Sequence, residues 1–467
     1  MREGSGAAQR LAEGAALRDV LDTGDPAAWL ELDEGARAEE WYWPPDVGAG
    51  WERAHGGRNL LAALAAGASL TDGRLALALC HRDGRVRHRA LDRAAGRPEL
   101  LPLVAVRCTD WAEPVRARAR QRLTEALDAE AAARLAPLIR RLGDRHRGDF
   151  GLGLLGDVLR RAPRERLDPL LASTDRAVRR FAHRLAVETG TLSPAELARA
   201  AARDDDAVVQ TLCAEAALAA VTQENAAEVL DPLLGARSPR ARSAGVTALR
   251  RLGRPERAAG FLGDRSALVR ACARYVVRQH GIDPLPWYRE RCADPASPTL
   301  PPGAAIGLGE CGERADAALL WPLLDHPVPG VRARAVAGLR TLDVTDVPRT
   351  RPMLDDPSPA VVGEATLALL PSAGSLPAPW LLRRLDPARP RWERVSAWRL
   401  LDAHGEAVRL RAAVALLDDP DVRLRARALP VLRRALRWGA SSRSEPEVAG
   451  LLHRARAVLE GPAALPR

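Results

Sequence analysis

The chain contains no lysine, so all 70 of its Lys+Arg residues are arginine. Against 60 acidic residues this leaves a formal net charge of +10 over 467 residues. Arginine without lysine, beside abundant Ala, Gly and Pro, is typical of a very GC-rich coding sequence. Binding to a polyanion needs several cations converging on one surface, and a small excess spread along the whole chain does not predict this.

Aromatic residues and long apolar runs are also scarce. Only 4% of the residues are aromatic although 47% are hydrophobic, so Ala, Leu and Val must build the core. These residues favour close-packed helices, and apolar runs at strand spacing are missing, which predicts an all-α fold. No run approaches the roughly 18 apolar residues of a membrane span, and the N-terminus does not resemble a signal peptide. We therefore expect a soluble, cytoplasmic protein with no membrane partner.

Signals for metal binding and catalysis are absent. The six cysteines lie far apart with no CxxC spacing, which favours free thiols in a reduced compartment. The densest Cys/His group, Cys80, His81 and His88, lacks paired ligands at chelating spacing. No glycine-rich phosphate loop or nucleophile elbow follows a predicted strand. We expect no metal, no cofactor and no enzymatic activity.

One short pattern recurs roughly every 30 residues. It is a Val-Arg step followed at +4 by a small residue and at about +8 by an aliphatic one. A fixed period of this size predicts stacked helix pairs, each burying its apolar face against its neighbours. The clear copies are Val86-Arg87, Val115-Arg116, Val178-Arg179, Val269-Arg270, Val331-Arg332 and Val422-Arg423, and the weaker ones are Val209-Gln210, Ala241-Arg242 and Val361-Val362.

Local signals divide the repeats into two helices. Ser193-Pro-Ala-Glu196 is a capping box with Pro at the first helical position, so a helix begins there. Gly253 and Gly281 follow periodic segments and are expected to end helices in the left-handed conformation. In the second helix of each pair, the Val, the +4 residue and the +8 residue share one stripe, which we expect to be buried.

The repeat resembles the HEAT-like family, in the short form of about 30 residues found in phycobilin-lyase-type proteins. The segment Asp175-Arg-Ala-Val178-Arg179-Arg-Phe-Ala182-His-Arg-Leu185 carries the resemblance, which extends over about residues 70–437. It implies a right-handed α-solenoid of about 11–12 helix pairs over residues 58–437. Residues 1–57, which contain Trp29, Trp41, Trp43 and Trp51, are expected to form an N-terminal cap. Residues 438–467 are expected to form a C-terminal capping helix and tail.

The same resemblance implies a structural role for the repeated arginines. In such repeats the Arg after Val typically pairs with a turn Asp of its own or an adjacent repeat. The expected ladder contains Asp83 with Arg87, Asp175 with Arg179, and Asp264 with Arg270, and it extends to Arg332 and Arg423.

Partner binding is expected on the outward face of the second helices, which lines the concave side in the family. The +2 and +6 positions from the Val are mostly small or apolar rather than basic, which fits a peptide or helix better than phosphates. They include Arg180, Arg184, Tyr275, Ala333, Leu367 and Leu424. Trp380 and Trp392 lie in an arginine-rich segment near the C-terminus and are expected to contribute a second patch.

Three functions remain open from the sequence. The leading hypothesis is a non-enzymatic scaffold or adaptor that binds a protein or peptide partner. A second is a nucleic-acid-binding or DNA-repair protein of the HEAT-like alkylbase glycosylase type. Asp110-Trp111 is the nearest match to its expected groove residues, but it falls at an inter-helix turn and receives no role. A third is a lyase- or chaperone-like HEAT protein. The fold resemblance alone does not choose among them.

Overall fold

The structure is a computed structural model that describes residues 3–38, 64, 70–438, 450, 451, 453, 454 and 456. All regular elements within these residues are helical and none is a strand, in agreement with the predicted all-α class. The chain divides into two compact units, unit 1 (Met1–Leu233) and unit 2 (Leu234–Arg467). No helix of the described residues is long and apolar enough to cross a membrane.

Unit 1 begins with three helices that precede the repeats, and the alternation of first and second helices starts at α4. From there first helices have even numbers and second helices have odd numbers. The helices are α1 (Glu3–Ala12), α2 (Leu17–Val20), α3 (Pro26–Ala38), α4 (Asp72–Cys80), α5 (Gly84–Arg93), α6 (Leu101–Arg107), α7 (Glu113–Ala126), α8 (Ala129–Gly143), α9 (Asp149–Arg160), α10 (Asp168–Leu171), α11 (Arg176–Thr189), α12 (Pro194–Arg203), α13 (Ala207–Ala219) and α14 (Ala226–Leu234), whose last residue is the first of unit 2.

Unit 2 continues the same alternation to the last fully described helix. Its helices are α15 (Pro239–Ala248), α16 (Pro255–Ala259), α17 (Ala267–Gln279), α18 (Leu285–Ala293), α19 (Pro302–Cys311), α20 (Ala317–Leu320), α21 (Pro329–Thr341), α22 (Val347–Thr350), α23 (Pro359–Leu369), α24 (Ala378–Arg383), α25 (Arg391–Asp402), α26 (Glu406–Ala415) and α27 (Val422–Trp438).

The predicted stripe of the second helices is the core of each unit. Val331, Ala335 and Leu339 of α21 are all buried, and the matching residues of α7, α17 and α23 are buried too. The predicted helix ends are also confirmed. Ser193 forms the capping box with Glu196. The helix stops Gly253 and Gly281 have φ of +64° and +74°, which a residue with a Cβ rarely adopts.

Two first helices of unit 2 are short and continue as 3₁₀ segments. α20 ends at Leu320, and a 3₁₀ segment continues over Trp321–Asp325. In the next repeat α22 similarly gives way to a 3₁₀ segment over Arg351–Asp355. Each 3₁₀ segment carries Pro at its second position. Proline lacks the N–H that an α-helix needs there, so the helix cannot continue in regular form.

Second helices stack side by side along each unit, α5 to α13 in unit 1 and α15 to α25 in unit 2. Glycine allows the closest approach, between α19 and α21. A Cβ on Gly309 would lie 2.5 Å from Cα of Gly338, and one on Gly338 would lie 2.8 Å from the carbonyl oxygen of Ala305. The two backbones therefore meet without intervening side chains.

The helices before the repeats pack onto the first ones. α1 and α3 both contact α4, and α3 also contacts α6 and α8. Trp29 of α3 is buried and its indole N–H donates to the Thr23 carbonyl (3.1 Å). Asp33 of α3 forms a buried ion pair with Arg107 of α6. Of the other tryptophans in the predicted cap, Trp41, Trp43 and Trp51 lie outside the described residues, as does most of the predicted C-terminal helix near 446–459.

Candidate partner-binding surface

The turn before most second helices is closed by the side chain of one residue, here called the turn residue. Asp356 is an example, since its carboxylate accepts the N–H of Ser358 (2.8 Å). His326 makes the same bond through Nδ1, which accepts the N–H of Val328 (3.0 Å). Asp and His are thus interchangeable acceptors in this position. The turn residues that make this bond are His81, Asp110, Ser173, Asp204, Asp264, His326, Asp356 and Asp419.

An arginine six residues after the turn position donates back to the backbone carbonyl of that position. In α21, Arg332 donates to the carbonyl of His326 (2.8 Å) and to that of Pro327 (3.2 Å). These bonds satisfy carbonyl groups that the tight turn leaves without a helical partner. The same bond to position −6 is made by Arg87, Arg116, Arg179, Arg242, Arg270 and Arg425.

The remaining donors of several of these arginines bind the turn carboxylate of the next repeat. Arg332 forms a two-point contact with Asp356 at 2.7 and 2.9 Å. Arg87 binds Asp110 in the same way at 2.9 and 2.8 Å, and both side chains are almost completely buried. The planar guanidinium matches a carboxylate with two parallel bonds, which fixes the spacing of consecutive repeats. Equivalent links join Arg179 to Asp204 and Arg242 to Asp264, and Arg394 binds Asp419 through a single hydrogen bond.

These links differ from the pairs that we expected for Arg87 and Arg179. Asp83 accepts the N–H of Arg85 (2.8 Å) and Asp175 accepts that of Ala177 (2.8 Å), so both carboxylates are helix N-caps. Each lies two residues after its turn residue, and the carboxylates that hold the two arginines belong to the following repeats. Each of these N-cap carboxylates forms its hydrogen bond within its own helix, whereas the ladder arginines bind carboxylates of the next repeat.

Two further ladder positions also differ from expectation. Asp264 holds Arg242, while Arg270 donates to the Asp264 backbone carbonyl and forms its ion pair with Glu310 of α19. In the last repeat Arg423 is exposed, and Arg425 makes the bond to the turn carbonyl instead. The repeat step there is Leu424-Arg425 rather than Val422-Arg423, because the core aliphatic always follows the turn position by five residues.

Several residues expected on the outward face are not accessible. Leu424 is fully buried because it occupies that core position. Ala333 is buried (5% exposed) because α21 is packed between α19 and α23, and small residues let these helices approach closely. Leu367 is half-buried. The predicted outward face of α21 and α27 is therefore not an open surface at these positions.

The other expected partner residues remain accessible to different degrees. Arg180 is partly exposed but forms a two-point pair with Asp206 at 2.9 and 2.7 Å. Arg184 is exposed. Tyr275 is exposed, and the Arg250 guanidinium lies 5.8 Å from its ring centroid. Trp380 is half-buried and lies between the guanidinium groups of two arginines, Arg351 and Arg384.

A different surface carries most of the exposed apolar side chains of the described residues. Of the eight large hydrophobic residues that are exposed, six lie in the turn before a second helix or in its first turn. In unit 1 these are Trp111 and Val208. In unit 2 they are Leu268, Val328, Trp392 and Val422, which we call the apolar edge. The remaining two, Tyr275 and Ile282, lie elsewhere.

The exposed Trp111 of unit 1 directly precedes Ala112, which lines a cavity. The Trp111 side chain is 68% exposed, with the Arg87 guanidinium 5.7 Å from the ring centroid. The cavity measures about 540 Å³ and lies between the N-terminal ends of α5 and α7. It is lined by Asp83, Gly84, Arg85, His88, Arg89, Ala112, Pro114 and Val115.

The sequence contained a signal for the turn residues that we did not use. An acid or histidine precedes the core Val by five residues in six repeats, at His81, Asp110, Asp204, Asp264, His326 and Asp356. The pKa of Asp356 illustrates the role of these acids. Burial raises it, but hydrogen bonds from Arg332 and from the backbone N–H of Ser358 outweigh burial, and the net shift is downward. The carboxylate is therefore held in its charged form.

Comparisons with known proteins add little to this description. No protein-family model matches the chain, and no curated protein sequence matches it. Among solved structures, the chain is similar to an engineered protein from the Northeast Structural Genomics Consortium, at 16% identity, over 97% of this chain and 98% of the other. The TM-score is 0.16, so this similarity supports no conclusion about fold or function.

Proposed function

We propose that this chain is a HEAT-like α-solenoid that binds a protein partner without catalysing a reaction, and that unit 2 binds this partner at the apolar edge. The observation that carries the proposal is the recurrence of exposed apolar side chains at the N-terminal ends of second helices. A single exposed apolar residue is ordinary in any protein. Exposed apolar residues at this end of four second helices of one unit are typical of an interaction site.

The edge residues are not needed for packing within their own repeats. Leu268 lies one residue before the buried core residue Val269, and Val328 lies three residues before the buried core residue Val331. Val422 likewise precedes the buried Leu424 and is 61% exposed. Replacing the edge residues with polar ones would keep the repeat intact, so folding alone does not account for them.

Charge near the edge supports a partner segment that is both apolar and acidic. The positive ends of the second-helix dipoles lie at their N-termini, close to the edge residues. Arg265, in the turn before α17, and Arg423, in the first turn of α27, are exposed beside edge residues. Two carboxylates of the turns, Asp356 and Asp419, are already engaged with ladder arginines. An acidic, apolar segment would therefore complement this surface.

Photo-crosslinking in cells that express the chain tests the proposal. A photo-reactive residue is placed at position 268 on the edge, and in two control proteins at positions 275 and 282, which are also exposed. We expect one protein to be crosslinked from position 268 and to be lost when Val328→Ser is added. Equal crosslinking of that protein from positions 275 and 282 would contradict the edge as the binding surface.

A further inference from the structure

Helix α27 has a composition unlike the other second helices of unit 2. Its 17 residues include six arginines and no acid. Arg425 donates to the Asp419 carbonyl and belongs to the ladder. The other five arginines are exposed: Arg423, Arg427, Arg433, Arg434 and Arg437.

Four of these exposed arginines share one face. At 100° per residue, Arg423, Arg427, Arg434 and Arg437 fall within an arc of about 80°, and with a rise of 1.5 Å per residue they extend over about 21 Å. The buried side of α27 points elsewhere and consists of Leu424, Ala428, Leu432 and Ala435. We call the four exposed arginines the α27 arginine face.

Exposed arginines elsewhere in the described residues are commonly neutralised by acids. Arg289 pairs with Asp316, for example, and Arg340 pairs with Glu364. The α27 arginine face forms no ion pair with another described residue. Asp421, the acid that precedes α27, pairs with Arg391 and accepts the backbone N–H of Arg423, so its carboxylate is already engaged.

Helix stability does not explain this arrangement. The helix dipole favours cations in the last turn, where Arg437 lies, but disfavours Arg423 in the first turn. Arg423 and Arg427 are also four residues apart, and like charges at that spacing repel. Cations retained where they oppose the helix dipole and each other indicate an anionic ligand outside the chain.

We propose that the α27 arginine face binds the phosphate backbone of a nucleic acid without reading its sequence. Guanidinium groups bind phosphate oxygens with two parallel hydrogen bonds, and about 21 Å corresponds to about six base pairs of duplex. Phosphate contacts of this kind position a nucleic acid but do not read its bases. An anionic membrane fits less well, because the described apolar side chains of α27 apart from Val422, Ala426 and Pro430 are buried or half-buried, which leaves no continuous apolar face to enter a lipid layer.

Salt-dependent binding tests this inference. Binding of the full chain to a fluorescent duplex of arbitrary sequence is measured by anisotropy at several salt concentrations. The variant Arg423→Gln/Arg427→Gln/Arg434→Gln/Arg437→Gln is compared with a control of equal charge change, Arg278→Gln/Arg291→Gln/Arg314→Gln/Arg340→Gln, made at exposed positions of unit 2 outside α27. Helix content and Tm of both variants are checked first by circular dichroism.

We expect the wild-type affinity to fall steeply with salt. Each lost phosphate contact lowers the slope of log affinity against log salt by about 0.9, so the α27 variant loses up to about 3.6. The control keeps the wild-type slope. Absence of duplex binding, equal loss in both variants, or binding only to phosphatidylserine vesicles would overturn the inference. Crosslinking of the wild-type chain from position 268 of α17 is read without nucleic acid, so it reports separately on the protein partner.

Discussion

At the scale of single residues, the ladder arginines connect consecutive repeats through buried charge. Arg87 is fully buried, and its guanidinium binds two backbone carbonyls and both carboxylate oxygens of Asp110. Removing two charges from water costs several kcal/mol, which only a fully hydrogen-bonded pair offsets. Removing one partner therefore leaves an uncompensated charge in the core.

We expect Asp110→Ala to lower the free energy of unfolding by about 3–5 kcal/mol, because Arg87 stays buried without its carboxylate. The control is Asp83→Ala, which removes only a helix N-cap and should cost about 1 kcal/mol. Urea unfolding followed by circular dichroism measures both. A larger loss of stability for Asp83→Ala than for Asp110→Ala would indicate that Arg87 pairs with Asp83, as expected from the sequence.

The capping box of α12 provides a prediction for pH dependence. Glu196 has a pKa lowered to about 2, chiefly by its hydrogen bond from Arg164 and also by bonds from Ser193. A carboxyl whose pKa is lower in the folded state stabilises the fold above its unfolded pKa. This contribution is lost as the pH falls from about 4.5 to about 2. Unfolding free energies measured across this range should fall less for Glu196→Gln than for wild type, and parallel curves would argue against the assignment.

The sequence predicted the core residues better than the polar ones. The spacing of Val331, Ala335 and Leu339 indicates a buried stripe whatever the neighbouring repeat contains. The spacing of Arg87 allows its guanidinium to reach either its own turn or the next one, so its partner depends on the packing of two repeats. Glu310, which holds Arg270, is 40 residues away and carries no local signal.

At the scale of helices, small residues determine how closely neighbours approach. Ala333 was expected on an open face because its position was deduced from one helix alone. It is buried because α21 has neighbours on two sides. The sequence could not show how closely those helices approach, since Gly309 and Gly338 produce this contact only together. Position on a single helix therefore does not determine exposure in a stacked array.

The α19–α21 contact predicts opposite effects for two glycine substitutions. Gly309→Ala should lower the free energy of unfolding by about 1–3 kcal/mol, since its Cβ would overlap the backbone of α21. Gly363→Ala is the matched control in α23, where a Cβ would meet nothing within 4 Å. Alanine should stabilise that helix by up to about 1 kcal/mol. Similar effects of the two substitutions in urea unfolding would contradict the close approach.

At the scale of the whole molecule, each unit combines a regular interior with a less regular exterior. The ladder repeats one chemical link, and the exposed residues differ from repeat to repeat. Exposed apolar residues of unit 2 lie mainly at the edge, and four exposed arginines share one face of α27. The repeat signal predicted the regular interior. The exposed residues depend on which positions the packing leaves open, and the sequence pattern alone wrongly predicted that Ala333 and Leu424 are exposed.

The most direct test of the proposed function is the affinity for the protein crosslinked at the edge. Isothermal titration calorimetry compares wild type with Leu268→Ser, and with Ile282→Ser as an exposed apolar control away from the edge. We expect the Kd to rise about tenfold or more for Leu268→Ser, equivalent to about 1.4 kcal/mol, and to stay unchanged for Ile282→Ser. An unchanged Kd for Leu268→Ser, or an equal rise for both variants, would contradict the apolar edge as the binding surface.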